Sequence, residues 1–124
     1  MIRRTLTILS FLFLLSACVR RAETFYFGNY SEAEKFYNKK QYDKAIQKYQ
    51  AYLDENPQGN LAVIAAYYMG KSHAALGHAE EARAIFEKIR KEHPDLVWAS
   101  FSETQLKQLK GLSSPSPSDQ NSKS

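Results

Sequence analysis

Apolar and polar residues fall along this chain in three regimes. Thr5 to Ser16 carries no charge and is rich in Leu, Ile and Phe. From about residue 29 to 110, apolar residues recur every three or four positions, the spacing of helices that bury one face. Residues 111–124 read GLSSPSPSDQNSKS, a polar, low-complexity composition expected to be disordered. The middle regime predicts five helices. The first spans 29–39, with Tyr30, Ala33, Phe36 and Tyr37 on one side. The second spans 42–54, through Tyr42, Ala45, Ile46, Tyr49, Tyr52 and Leu53. The third spans 61–75, through Ala62, Ala66, Met69, Gly70 and His73. The fourth spans 79–91, through Ala79, Ala82, Ile85, Phe86 and Ile89. The fifth spans 97–110, with Trp98, Phe101, Leu106 and Leu109. Pro57-Gln58-Gly59-Asn60, Gly77 and Pro94 supply the breaks.

The helices repeat. Ala45, Tyr49 and Pro57 recur 37 residues later as Ala82, Phe86 and Pro94, while Ala62 and Met69 recur as Ala99 and Leu106. A period of this size means stacked helical hairpins. The pattern of small residues and a terminal proline resembles the tetratricopeptide repeat. Repeat one supplies Ala33, Ala45, Tyr49 and Pro57, and repeat two supplies Gly70, Ala82, Phe86 and Pro94. Ala33 or Gly70 lets the two helices of a hairpin approach closely, Ala45 and Ala82 do so from the other side, and Tyr49 and Phe86 fill the gap to the next hairpin. The resemblance implies an all-α fold: a tetratricopeptide-like α-solenoid of two hairpins. Lys107 stands where Ala33 and Gly70 stood, and no further helix pattern follows, so 97–110 is expected to cap the stack, with Trp98 as its plug. The 37-residue period is longer than the usual 34. It resembles the longer-loop variant of periplasmic and outer-membrane repeat proteins, including outer-membrane assembly lipoproteins and the C-terminal domain of the Tol-Pal coordinator protein. Segment 49–70 carries that likeness.

Arg3 and Arg4 precede the apolar run, which is too short to span a bilayer as a helix and suits a signal peptide. It ends in Leu15-Ser16-Ala17-Cys18, which resembles the bacterial lipoprotein box. That likeness implies cleavage after residue 17, lipidation of Cys18, and a membrane anchor. The expected organisation is therefore a signal peptide at 1–17, a lipidated tether at 18–28, the repeat domain at 29–110 and the tail at 111–124. No Asp follows Cys18, so in a diderm envelope the expected address is the outer membrane, facing the periplasm.

Composition narrows the chemistry. With 124 residues the chain holds one domain at most. The formal net charge is +4 with 17 basic and 13 acidic residues, a balance lowered when the leader leaves. Neither a multidomain enzyme nor a nucleic-acid groove is expected. Cys18 is the single cysteine, so no intrachain disulfide can form. His73, His78 and His93 show no metal-ligand spacing such as HExxH, and no Gly-rich phosphate loop is present. Accordingly no catalytic residue, metal site, cofactor or small-molecule substrate is expected.

Tyrosine carries the functional signal. All eight lie between Tyr26 and Tyr68. By the repeat pattern, the first helix of each hairpin shows one face to the concave side of the stack. That face is expected to comprise Phe27, Tyr30, Glu34, Tyr37 and Asn38, then Ile64, Tyr67, Lys71 and Ala74, extending to Phe101 and Gln108. Tyrosine offers large contact area with a hydroxyl for orientation. The expected role is a lipid-anchored envelope adaptor that binds a protein partner, or associates with itself, to support assembly of an envelope complex. The alternatives are a purely structural subunit whose aromatic excess only packs the core, and a pilus-related pilot lipoprotein.

Overall fold

The computed structural model describes residues 27–113. The expected leader, lipidated Cys18, most of the tether and the last residues of the tail lie outside them. Five helices follow in order: α1 (Asn29–Asn38), α2 (Tyr42–Glu55), α3 (Ala62–Ala75), α4 (Ala79–Glu92) and α5 (Val97–Ser113). There is no strand among the described residues. Each helix packs on the next, and α3 also meets α5. The architecture is a solenoid of two antiparallel hairpins, α1–α2 and α3–α4, closed by α5. None of these helices is long and apolar enough to cross a membrane.

Small residues set the spacing. Ala33, Ala45, Ala65 and Ala82 are fully buried, as are Tyr49 and Phe86. A Cβ placed on Gly70 would meet Phe86 Cε1 at 2.9 Å and Ile85 Cγ2 at 3.1 Å. Glycine at 70 therefore lets α3 and α4 close until Phe86 sits against the α3 backbone. Around Tyr49 the first core gathers Tyr30, Ala33, Ala45, Tyr52, Ala65 and Met69, while Tyr67, Ala82, Phe86, Ile89, Leu106 and Leu109 form the second. Tyr68 and Ile85 pack against both cores, so the two hairpins share one continuous interior. Pro57 and Pro94 lie exposed in the turns after α2 and α4, ending helices rather than filling the core.

The 37-residue period extends to the backbone of every turn. Lys40 N–H donates to the Tyr37 carbonyl and Gln41 N–H to that of Phe36; one period later Gly77 donates to Ala74 and His78 to His73. This is the paired 5→2 and 6→1 closure that satisfies the last carbonyls of a helix. It requires a left-handed residue, which is Lys40 at φ 59° in the first hairpin and Gly77 at φ 79° in the second. The longer turns match as well. Asn56 and His93 cap their helices with N–H donation to Tyr52 and Ile89, both at 2.9 Å.

α5 departs from expectation at its end. It continues through Gly111 and Leu112 to Ser113 rather than stopping at 110. A helical glycine costs about 1 kcal/mol but does not break the backbone; the stronger stop in sequence is Pro115, which disfavours helix in the residue before it. Lys107 is exposed and pairs with Glu103 at 3.1 Å, as a capping face requires. Ser102 occupies the position of Ala65 one period earlier, and its buried hydroxyl has no hydrogen-bond partner.

Two substitutions test this frame by urea denaturation. Lys40→Gly relieves a left-handed side chain and is expected to stabilise the fold by about 0.5–1 kcal/mol. Gly70→Ala is expected to destabilise it, because a clash of about 1–3 kcal/mol against the immobile Phe86 ring outweighs the roughly 1 kcal/mol gain in helix propensity.

Candidate functional site

The first helix of each hairpin and α5 lie side by side and present a shared aromatic face. On α3, residues advance about 100° each, which places Ile64, Tyr68 and Lys71 on one side and Tyr67 beside them. Tyr68 meets Tyr37 of α1 at 5.1 Å between ring centroids, and Tyr67 meets Trp98 of α5 at 5.1 Å. Trp98 continues to Phe101 at 5.6 Å. Most of these contacts are edge-on or tilted, the arrangement that ring quadrupoles favour. Tyr37, Tyr68 and Trp98 are half-buried, and Phe101 is 45% exposed. The result is a row of partly exposed rings crossing three helices.

Two charges sit on this face one period apart. Lys71 Nζ lies 6.0 Å from the Tyr67 ring centroid and 5.9 Å from that of Tyr68, within cation–π range. The Tyr37 phenol also acts electrostatically on Lys71. Burial works to lower its pKa, but the surrounding phenols outweigh that and leave it raised. Glu34, at the equivalent position of α1, is exposed, and its charge acts on the Tyr30 phenol. Burial first, and then the Glu34 charge, push the Tyr30 phenol well above the ordinary range. Burial does the same to Tyr49 and, more weakly, to Tyr67. These phenols stay protonated across the physiological range.

The expected face is assembled only in part. Tyr37, Lys71, Ile64 and Phe101 are at least partly accessible, and Glu34 and Asn38 are exposed. Phe27 is 51% exposed at the start of α1, where its N–H donates to Ser31 Oγ. Tyr30 and Tyr67, expected as groove contacts, are each only 7% exposed. Tyr30 packs edge-on against Tyr49 and Tyr52, and Tyr67 is wedged among Phe86, Trp98 and Phe101. They are the floor of the face, because large rings at these positions fill the seams between helices. Tyr68 was missed. Its counterpart one period earlier is Ser31, so transferring the first repeat's pattern passes over it. Trp98, expected as a plug at the cap, packs half-buried against Tyr67 and Tyr68 of α3 and so belongs to the face.

A second concavity of about 360 Å³ opens on the opposite side, where α2, α3 and α4 meet. Leu53, Pro57, Val63, Ala66, Ile85 and Ile89 form its apolar lining. Its walls come from three helices, so no single periodic stretch of sequence marks it.

A model of the tetratricopeptide repeat family matches residues 37–102, which cover the second half of the first repeat, the whole second repeat and the start of α5. A comparison with curated proteins finds no match.

The division between floor and surface is measurable. Tyr67→Ala is expected to cost about 3 kcal/mol or more in unfolding free energy. Phe101→Ala, on an exposed ring, is expected to cost less than about 1 kcal/mol. Equal losses would show that both rings are simply core.

Proposed function

The chain belongs to the tetratricopeptide-repeat family, and from that premise we propose that it is an adaptor holding a segment of a protein partner against the aromatic face of α1, α3 and α5. Repeats of this kind are protein-interaction modules rather than catalytic ones. The observation that carries the reading is the row of Tyr37, Tyr68, Trp98 and Phe101 with Lys71 laid over it. The row is apolar enough to bind, rigid through mutual packing, and flanked by a cation and an anion that fix orientation. No cofactor is invoked.

The leader motif adds a location. Cleavage before Cys18 and lipidation of its thiol would tether the repeats to a bacterial membrane, and the absence of Asp after Cys18 favours the outer membrane, facing the periplasm. The partner is then an envelope protein or a second copy of the chain. The longer-loop likeness to outer-membrane assembly lipoproteins and the Tol-Pal coordinator domain supports the same setting, in which the adaptor promotes assembly or stability of an envelope complex. The burial of Tyr30 and Tyr67 favours a second reading, a structural subunit that uses its aromatic residues for packing alone.

The test is mild crosslinking and recovery from native membranes with wild-type protein and the Phe101→Ala/Lys71→Ala double variant, both verified as folded. The adaptor reading expects partner recovery to fall roughly tenfold or more, the equivalent of about 1.4 kcal/mol at a central contact. Undiminished recovery by the double variant, or a wild-type protein that returns alone, would overturn it.

A further inference from the structure

The turn closing the second hairpin brings together two side chains with no recognisable ligand spacing in sequence. His73 lies in the last turn of α3, and His78 immediately precedes α4. The His78 N–H donates to the His73 carbonyl at 2.9 Å, and Gly77 between them holds φ at 79°. That closure sets the imidazoles side by side, with centroids 5.6 Å apart and Nδ1 atoms 3.4 Å apart. Glu81, in the first turn of α4, lies close enough for its charge to act on His73.

Two nitrogens bound to one zinc ion at about 2.0–2.1 Å in tetrahedral geometry lie roughly 3.3–3.4 Å apart. The observed separation matches one edge of that tetrahedron. We propose that His73 and His78 form a bidentate site for a late first-row divalent metal ion, Zn²⁺ or Cu²⁺. His78 is exposed and His73 half-buried, so the ion enters from solvent and water completes its shell. No group of three or more His, Cys, Asp and Glu among the described residues could hold an ion, so the protein supplies two ligands here. The Nδ1···Nδ1 contact of the unoccupied pair is met when one ring carries its proton on Nδ1. On binding, that proton moves to Nε2 of the same ring and the imidazoles turn so that both Nδ1 lone pairs converge on the ion, with no net loss of protons. Burial, followed by the neighbouring His78, lowers the His73 pKa, which favours the neutral ring that ligates. In the unfolded chain a flexible glycine separates the pair, so the ion binds the folded state preferentially and stabilises it.

The test titrates the full-length protein with Zn²⁺ and, separately, Cu²⁺ near neutral pH by calorimetry, alongside thermal denaturation. One equivalent of each ion is expected, Cu²⁺ the tighter, with a raised Tm that a chelator reverses. His73→Gln and His78→Gln should each weaken binding roughly tenfold or more and abolish the Tm shift. His93→Gln, at the far end of α4, should change neither. Since His78 is an exposed turn residue, its variant decides the matter if the His73 variant is unstable. Equal ion affinity in wild type and His78→Gln, or no binding by wild type, would overturn the site.

Discussion

The structure depends on how closely paired helices can approach. At Gly70 there is no room for even one carbon between α3 and the Phe86 ring. Ala33, Ala45 and Ala82 occupy the matching places with no exposed surface. Close approach lets one large ring per hairpin, Tyr49 or Phe86, seal the gap to its neighbour. It also fixes the distance between successive first helices, and with it the distance from Tyr37 to Tyr68 to Trp98. Both stability and the geometry of the face follow from side chains that are nearly absent.

Rings then do two jobs that are hard to separate. Tyr52, Tyr30, Tyr49 and Tyr68 run in contact through the first core, and Tyr68, Tyr67, Trp98 and Phe101 carry the chain of contacts to the last helix. A short solenoid has few layers over which to accumulate burial, and each layer depends on its nearest neighbours. Aromatic residues bury much area per residue, which suits a stack of two hairpins and a cap. Of these rings, Tyr68, Trp98 and Phe101 emerge partly exposed on the face shared by α3 and α5. Packing rigidity there lowers the entropy cost of receiving a partner.

The turns show how a repeat tolerates unequal residues in equal geometry. Lys40 and Gly77 adopt the same left-handed conformation and the same hydrogen bonds, although only glycine does so without steric cost. The first hairpin therefore carries a local strain that the rest of the repeat overrides. Ser102 is a second mismatch, a hydroxyl where the period calls for a methyl group.

The sequence alone determined the helices, the 37-residue period, the small residues that pack and the prolines that end helices. Each is a local or strictly periodic property, and periodicity survives in the order of residues. Ala33, Gly70, Tyr49 and Phe86 could be placed because their roles repeat. Helix ends were less legible at α5, where Gly111 reads as a stop but is accommodated. Tertiary structure decided the rest. Whether Tyr30 and Tyr67 line a groove or floor it depends on which helix each ring meets, and Tyr68 has no aromatic counterpart one period earlier to reveal it. The closeness of His73 and His78 likewise comes from the left-handed turn at Gly77, and the cavity lined by Leu53 and Ile85 from the meeting of three helices. These features belong to distances between segments, and a pattern read along one chain does not record them.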